Sequence, residues 1–310
     1  MPSPQPLPSF TAEADMTWFL PAGSAATTDS LVDITPERAG WPYSGMRIVE
    51  LARGPATVSL ARDEAVIVPL SAENVTVTID GVEYTLAGRI GVFDAVSDWI
   101  YAPVGSNVDI RGTGGEVAIC TARASEVFPV AYVPAAEVPV EVRGAGRATR
   151  QVTNIATPDS FQGAHKINVC EVITPGGNLS SWPPHRHDGI GDCGVENEEI
   201  YYFRIGRQDS PHGDPLGQGL LHVYTVDRRV DETVTVRDGD VYLLPEGYHG
   251  PTVAPPEYPM YFLNVLAGPA EDRTMAFCDD PDHHWIRASW AEQEQDPRLP
   301  MTSAVSRTRP

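Results

Sequence analysis

Glycine and proline interrupt this chain so often that little room is left for long helices. Twenty-seven glycines and twenty-nine prolines are spread over 310 residues, and both residue types break helical runs. Between the breaks lie short β-branched runs: Ala56 to Ala61, Ala65 to Leu70, Val75 to Ile79, Asn107 to Ile110, Val117 to Thr121 and Val127 to Val133. These read as strands. In TIDGVEYTL, Asp80-Gly81 stands between two alternating segments and predicts a two-residue hairpin. The softer stretch VPAAEVPVEVRGAGRATRQ separates this half from a second strand-rich one, which runs through HKINVCEVIT, EEIYYFRI, LLHVYTVD, ETVTVRDGDVYLLP and PMYFLNVLAG. The pattern predicts an all-β chain of two tandem barrels, at 1–135 and 150–275. Residues 276–310, with Trp285 and Trp290, are expected to form a polar extension containing a short helix before a frayed tail.

Charge narrows the partners. Forty-two acidic against twenty-two basic side chains give a formal charge of −20, and Lys166 is the single lysine. Such a surface excludes a nucleic-acid footprint and disfavours a polybasic membrane contact. An anionic ligand would need a local positive device, either a metal ion or a few placed arginines. No apolar run approaches the length of a membrane span, and the N-terminus lacks the basic start and apolar core of a signal peptide. Cys120, Cys170, Cys193 and Cys278 are widely spaced with no C-x-x-C pair, so they are expected to be reduced thiols in a soluble, cytoplasmic protein.

The chemistry-bearing residues lie in the second half. In WPPHRHDG, His185 and His187 point the same way if the segment is extended, with Arg186 opposite. After a gap of eleven residues from His187, Glu199 heads a strand whose parity partners Tyr201 and Phe203 are expected inside a barrel. Further on, GDVYLLPEGYH carries a strand through a Pro245-Glu246-Gly247 turn to His249. Three imidazoles and one carboxylate form a mixed nitrogen and oxygen set that suits Zn, Mn, Fe, Co or Ni better than Ca or Mg. An isolated H-x-H in a proline-rich loop is more often a surface feature; the glutamate on the matching strand face and the later P-x-G-x-H argue against that here. The first half has no histidine before His165, so its barrel is expected to hold no metal.

These residues resemble the two cupin motifs. Glu199 is followed seven residues later by Gly206, as in the first motif, and Gly239 through Pro245-Glu246-Gly247 to His249, with Asn264 beyond, resembles the second. The gap from His187 to Glu199 is longer than usual, and His249 comes one residue early. CEVITPGGNLSSWPPHRHD, EEIYYFRI, VYTVDRRVDETVTVRDGDVYLLPEGYH, YFLNVLAG and the late DDPDHHWI resemble more closely the bicupin 5-deoxy-glucuronate isomerase family of myo-inositol catabolism. The match is dense over the second half and loose over the first. It implies a degenerate first cupin barrel, a metal-binding second one, and an aldose-ketose isomerase converting 5-deoxy-D-glucuronate to 5-dehydro-2-deoxy-D-gluconate. It also implies one divalent ion, zinc foremost, held by His185, His187, Glu199 and His249. The chain departs from the family at Leu221-His222, where a glutamine and a basic residue are expected, and at Gly250, where proline is expected.

Around such an ion, Tyr201 and Tyr224 are the proton-shuttle candidates, and Lys166 and His222 the candidates for contact with a small sugar-acid substrate. Arg186 and Arg204, of opposite parity, are expected at the surface. The expected partner is the anionic substrate and, in addition, further copies of the chain as a homo-oligomer. Two other readings of the same donor set are an iron-dependent cupin dioxygenase and a sugar-binding bicupin without activity.

Overall fold

In the computed structural model, which describes residues 18–207 and 210–307, the β-branched runs form two barrels, each made of two facing antiparallel sheets. The first has a six-stranded sheet ordered Ala131–Val133, Trp99–Ala102, Asp63–Pro69, Glu116–Arg123, Ser44–Glu50 and Val32–Ile34. Facing it is a four-stranded sheet ordered Ala56–Ser59, Asn107–Arg111, Glu73–Ile79 and Val82–Gly88. The predicted hairpin is present: Ile79 pairs with Val82, and Asp80 and Gly81 both take positive φ, 47° and 84°, the conformation of a type I′ turn.

The second barrel combines a seven-stranded sheet, Phe19–Leu20, Val241–Leu244, Glu198–Ile205, Met260–Ala267, Asn168–Thr174, Arg150–Asn154 and Val140–Arg143, with a smaller one. The smaller sheet is ordered Asp231–Arg237, Gln218–Tyr224, Tyr248–Val253, His185–Arg186 and Cys278–Asp279. Three short strands therefore cross the boundaries expected from sequence. Phe19–Leu20, Val140–Arg143 and Cys278–Asp279 all join the second barrel, because each finds an open sheet edge there. Residues 1–17 of the expected first unit lie outside the described residues. In the extension, a single helical turn, Ile286–Ser289, runs into a 3₁₀ turn, Trp290–Glu292.

The largest sheets of the two barrels pack face to face. Met46, Ile48, Val66, Val68 and Ala118 from the first share one core with Val169, Ile173, Ile200, Leu263 and Val265 from the second. Polar side chains stitch the margins of this core. Arg89 forms a buried ion pair with Glu171, which also accepts from Tyr261 Oη at 2.8 Å. Glu64 accepts backbone N–H groups of His165, Lys166 and Ile167 at 2.8, 2.6 and 2.8 Å. Glu198 accepts from the N–H groups of Tyr43 and Ser44. Buried carboxylates of this kind are tolerated only when their lone pairs are used, and here each is used across the junction.

Candidate metal centre

Strand alternation sets the inner wall of the second barrel. In Glu198–Ile205, Tyr201, Phe203 and Ile205 join the interior cluster of that barrel, whereas Ile200 and Tyr202 join the core shared with the first. Glu199 has the inward parity. His249 is the second residue of Tyr248–Val253 and lies opposite His185 in register. His187 follows directly on the short strand His185–Arg186. Gly250, next to His249, has φ 114°, and a Cβ there would lie 1.7 Å from Ser181 O. A side chain here would force the two segments apart, so glycine suits this close approach.

One ligand atom from each of His187, Glu199 and His249 lies within 4.8 Å of the others, and all three residues are buried. His187 Nε2 is 3.0 Å and His249 Nε2 3.2 Å from the same oxygen, Glu199 Oε2. Ligands that each stand about 2.0–2.2 Å from a shared ion are spaced in this way. His187 Nδ1 donates to Asn197 O at 2.8 Å, a hydrogen bond that orients the ring and commits Nε2 to the centre. His249 is out of line for a hydrogen bond to Glu199, and neither of its ring nitrogens has a hydrogen-bond partner among the described residues. A buried imidazole left in this state fits a metal ligand. His185 stands outside the group of three but packs on it, its ring centroid 4.4 Å from that of His249 and 6.5 Å from that of His187, with Nδ1 donating to Pro183 O.

Burial works to raise the pKa of Glu199, but the hydrogen bond from His187 and the adjoining His249 outweigh it and hold the carboxyl at about 2. Burial likewise opposes the imidazolium of His187, and Glu199 overcomes this and raises its pKa. His185 is driven the other way, well below the usual imidazole range, first by burial and then by the two neighbouring histidines. The group is thus an ion pair with two further imidazoles beside it, a donor set for a borderline divalent cation.

The long gap between His187 and Glu199 is an ordered loop. Gly189 N donates to Val195 O, and Asp188 pairs with Glu196 as an isolated bridge. Cys193 is joined to Cys278 by a disulfide, whereas Cys120 and Cys170 are free and buried. The expectation of four reduced thiols is corrected for this pair: cysteines 85 residues apart in sequence are brought together because the strand Cys278–Asp279 pairs with His185–Arg186. Arg186 is also corrected. It is 3% exposed rather than at the surface, donating to Asp188 Oδ1 at 2.9 Å and to Ile190 O at 2.6 Å. Asp188 Oδ2 in turn accepts from Gly247 N at 2.9 Å, so one carboxylate fastens the loop after His187 to the turn before His249.

The other residues expected at the site divide. Tyr201 is inside, its hydroxyl 3.3 Å from Ser181 Oγ, and burial followed by the charge of Glu199 pushes its pKa well above the phenol range. Tyr224 and His222 are outside. Leu221 and Val223 take the inner face of their strand, so Tyr224 turns out to hydrogen-bond Asp280, and His222 bonds Asp231 at 2.8 Å. The sequence carries apolar residues on both parities of that strand, so alternation could not say which pointed inward. Lys166 Nζ donates to the carbonyls of Pro269 and Ala270, away from the three clustered ligands. Arg204 is neither at the site nor freely exposed: it bridges Glu116 of the first barrel and Asp238.

Sequence reasoning overlooked Asn168 and Arg150 and assigned Asn264 no role beyond its motif. Arg150 shares inward parity with Val152 and is stacked on Trp290, with its guanidinium carbon 5.7 Å from the ring centroid. It has no carboxylate partner among the described residues, and burial, followed by Arg143 and Arg287, pushes its pKa down to about 10. An arginine at inward parity in so acidic a chain was the available signal.

Known proteins share this architecture. A family model described as the KduI/IolB family matches residues 18–286. The chain belongs to that family. A curated relative, the 5-deoxy-glucuronate isomerase of Geobacillus kaustophilus, is 40% identical over 279 residues, covering 87% of this chain and 95% of its own. The crystal structure of an IolB-like protein from Salmonella typhimurium superposes with a TM-score of 0.77 at 31% identity, covering 87% of this chain and 99% of that one. Bacillus subtilis oxalate decarboxylase, at 14% identity and TM-score 0.53, covers 80% of this chain and 74% of its own and shows the fold alone. The KduI/IolB chain described here is a bicupin.

Proposed function

We propose that the chain is a divalent-metal-dependent 5-deoxy-glucuronate isomerase, converting 5-deoxy-D-glucuronate to 5-dehydro-2-deoxy-D-gluconate in inositol catabolism. The observation that carries this is the buried His187, Glu199 and His249 cluster on the inner wall of the second barrel, in a chain of the KduI/IolB family. Those three, with His185 beside them, would hold the ion, and zinc is taken first among Zn, Mn, Fe, Co and Ni. When bound, the ion supplies Lewis acidity, drawing charge onto the carbonyl oxygen and making the proton on the neighbouring hydroxyl-bearing carbon labile.

C2 loses a proton that exchanges with solvent before C1 gains one, and O2 gives up its hydroxyl proton as O1 takes one, so protons balance and no external oxidant or reductant is consumed. Tyr201, kept as a neutral phenol, donates a hydrogen bond toward the reacting oxygens from its place beside Ser181. Arg150, with no carboxylate of its own, faces the substrate carboxylate. No helix among the described residues is long and apolar enough to cross a membrane. In this reading the enzyme works in the cytoplasm, where the Cys193 and Cys278 pair meets a reducing thiol pool.

The test is NMR of 5-deoxy-D-glucuronate in deuterated buffer with metal-loaded and with chelated protein. Product is expected from the loaded protein alone, with solvent deuterium at the carbon that gains the proton. Equal conversion after chelation, or none from loaded protein, overturns the proposal.

A further inference from the structure

Asn168 and Asn264 stand on the inner wall of the second barrel, on strands adjacent to one another. Asn168 has the parity of Cys170 and Val172, and Asn264 that of Met260 and Phe262, all four of which belong to the interior cluster. Register places Asn264 between Cys170 and Tyr201, and Leu266 between Asn168 and Glu199. The two amides therefore occupy the same two rungs of the sheet as Tyr201 and the ligand Glu199. They are 1% and 7% exposed.

Neither amide is satisfied. Among the described residues Asn168 has no hydrogen-bond partner for Nδ2 or Oδ1, and Asn264 has none for Oδ1, its Nδ2 reaching only Cys170 Sγ at 3.6 Å. Other buried amides of the same barrel are bonded: Asn178 to Thr149 O, Asn197 to Thr274 O, Asn154 to Glu141 and Gln151 to Thr302. Open hydrogen-bonding capacity among these amides is thus confined to the inner wall beside the ligand cluster. Buried amides are normally satisfied, and an amide offers a donor and an acceptor together, the complement of a sugar hydroxyl.

Resting on the isomerase function above, we propose that Asn168 and Asn264 are specificity-determining residues that hydrogen-bond the substrate hydroxyls beyond the reacting pair, those on C3 and C4. A 5-deoxy uronate keeps both hydroxyls and a 4-deoxy uronate lacks one, so the two asparagines select between these substrate classes. A wall built to pair with a hydroxyl discriminates strongly against an analogue without it, because its own polar groups are then left unpaired.

The test compares wild type with Asn168→Leu and Asn264→Leu, of similar volume but unable to pair. The substrates are 5-deoxy-glucuronate and its further 3-deoxy and 4-deoxy analogues, with metal content and thermal melting measured in parallel. Each variant is expected to melt no lower than wild type, to keep its metal, and to lose about a hundredfold in kcat/KM on 5-deoxy-glucuronate. On the analogue lacking the hydroxyl that the residue reads, wild type and variant should be equally slow. Equal fold-losses on all three substrates, or no loss on any, overturn the proposal, as does lower melting with turnover unchanged, which marks a purely structural amide. Wild-type turnover is the control for the isomerase function. If it is absent, that function fails, and the shift in melting produced by 5-deoxy-glucuronate in wild type but not in the variants still decides whether the asparagines bind the sugar acid.

Discussion

The first barrel closes its interior with aliphatic side chains, Ile67, Val75, Val77, Ile100, Val108 and Ile110 among them, whereas the second lines part of its wall with Glu199, His249, Asn168, Asn264 and Tyr201. Both are antiparallel barrels with strands of similar length. One interior is spent on hydrophobic burial; the other forgoes some of that burial to keep polar groups facing inward at a cost in desolvation. Fold alone therefore says nothing about which barrel is chemical. Stability should be concentrated in the first interior and activity in the second.

The largest expected effect breaks the second interior only. His249→Ala should lower isomerisation by about three orders of magnitude, the scale on which a key charge-stabilising group counts, while the far-ultraviolet circular dichroism remains that of wild type. Turnover within a few-fold of wild type would show that the ion, if any, is structural. The mirror experiment is Ile67→Ala in the first barrel. It should cost about 2–5 kcal/mol of unfolding free energy and leave KM and turnover per folded molecule unchanged, as urea titration and active-site counting would reveal.

The smallest effect sharpens the comparison through pH. Glu199 has a folded pKa of about 2 against an unfolded value near 4.3. Its contribution is therefore present above the unfolded value and lost as pH falls through the folded one. In chelated protein this amounts to at most about 3 kcal/mol between pH 5 and 2, and Glu199→Gln should flatten that segment of the stability curve. The raised pKa of His187 reports the same ion pair from its other partner, so the two contributions are counted once.

Much of this was legible in the sequence because strand alternation and turn chemistry are local. Asp80-Gly81 marked its hairpin, and the parity of Glu199, Tyr201 and Phe203 was readable from one strand. Tyr224 and His222 were misplaced because Leu220, Leu221 and Val223 made both faces of their strand plausible interiors, and only pairing with Tyr248–Val253 decides between them. The Cys193 and Cys278 disulfide, and the strand exchanges at Phe19–Leu20 and Val140–Arg143, depend on contacts between residues far apart in sequence. No local signal announces them. Asn168 was hidden at the head of NVCEVIT, where a polar residue at the start of a strand reads as an edge until the register is known.

Glu198 and Glu199 are neighbours with opposite allegiances. One is turned into the second barrel; the other is fastened to the backbone of the first at Tyr43 and Ser44. A single peptide unit thus joins the His187, Glu199 and His249 cluster to the backbone of the first barrel, which makes that barrel a mounting for the strand Glu198–Ile205. Substitutions can accumulate in its aliphatic interior as long as volume is kept, whereas its outward face at 43–44 is bound to the geometry of a site it does not contain. Mutational tolerance in the first barrel should therefore follow which face of the sheet a residue occupies more closely than its distance from His187, Glu199 and His249.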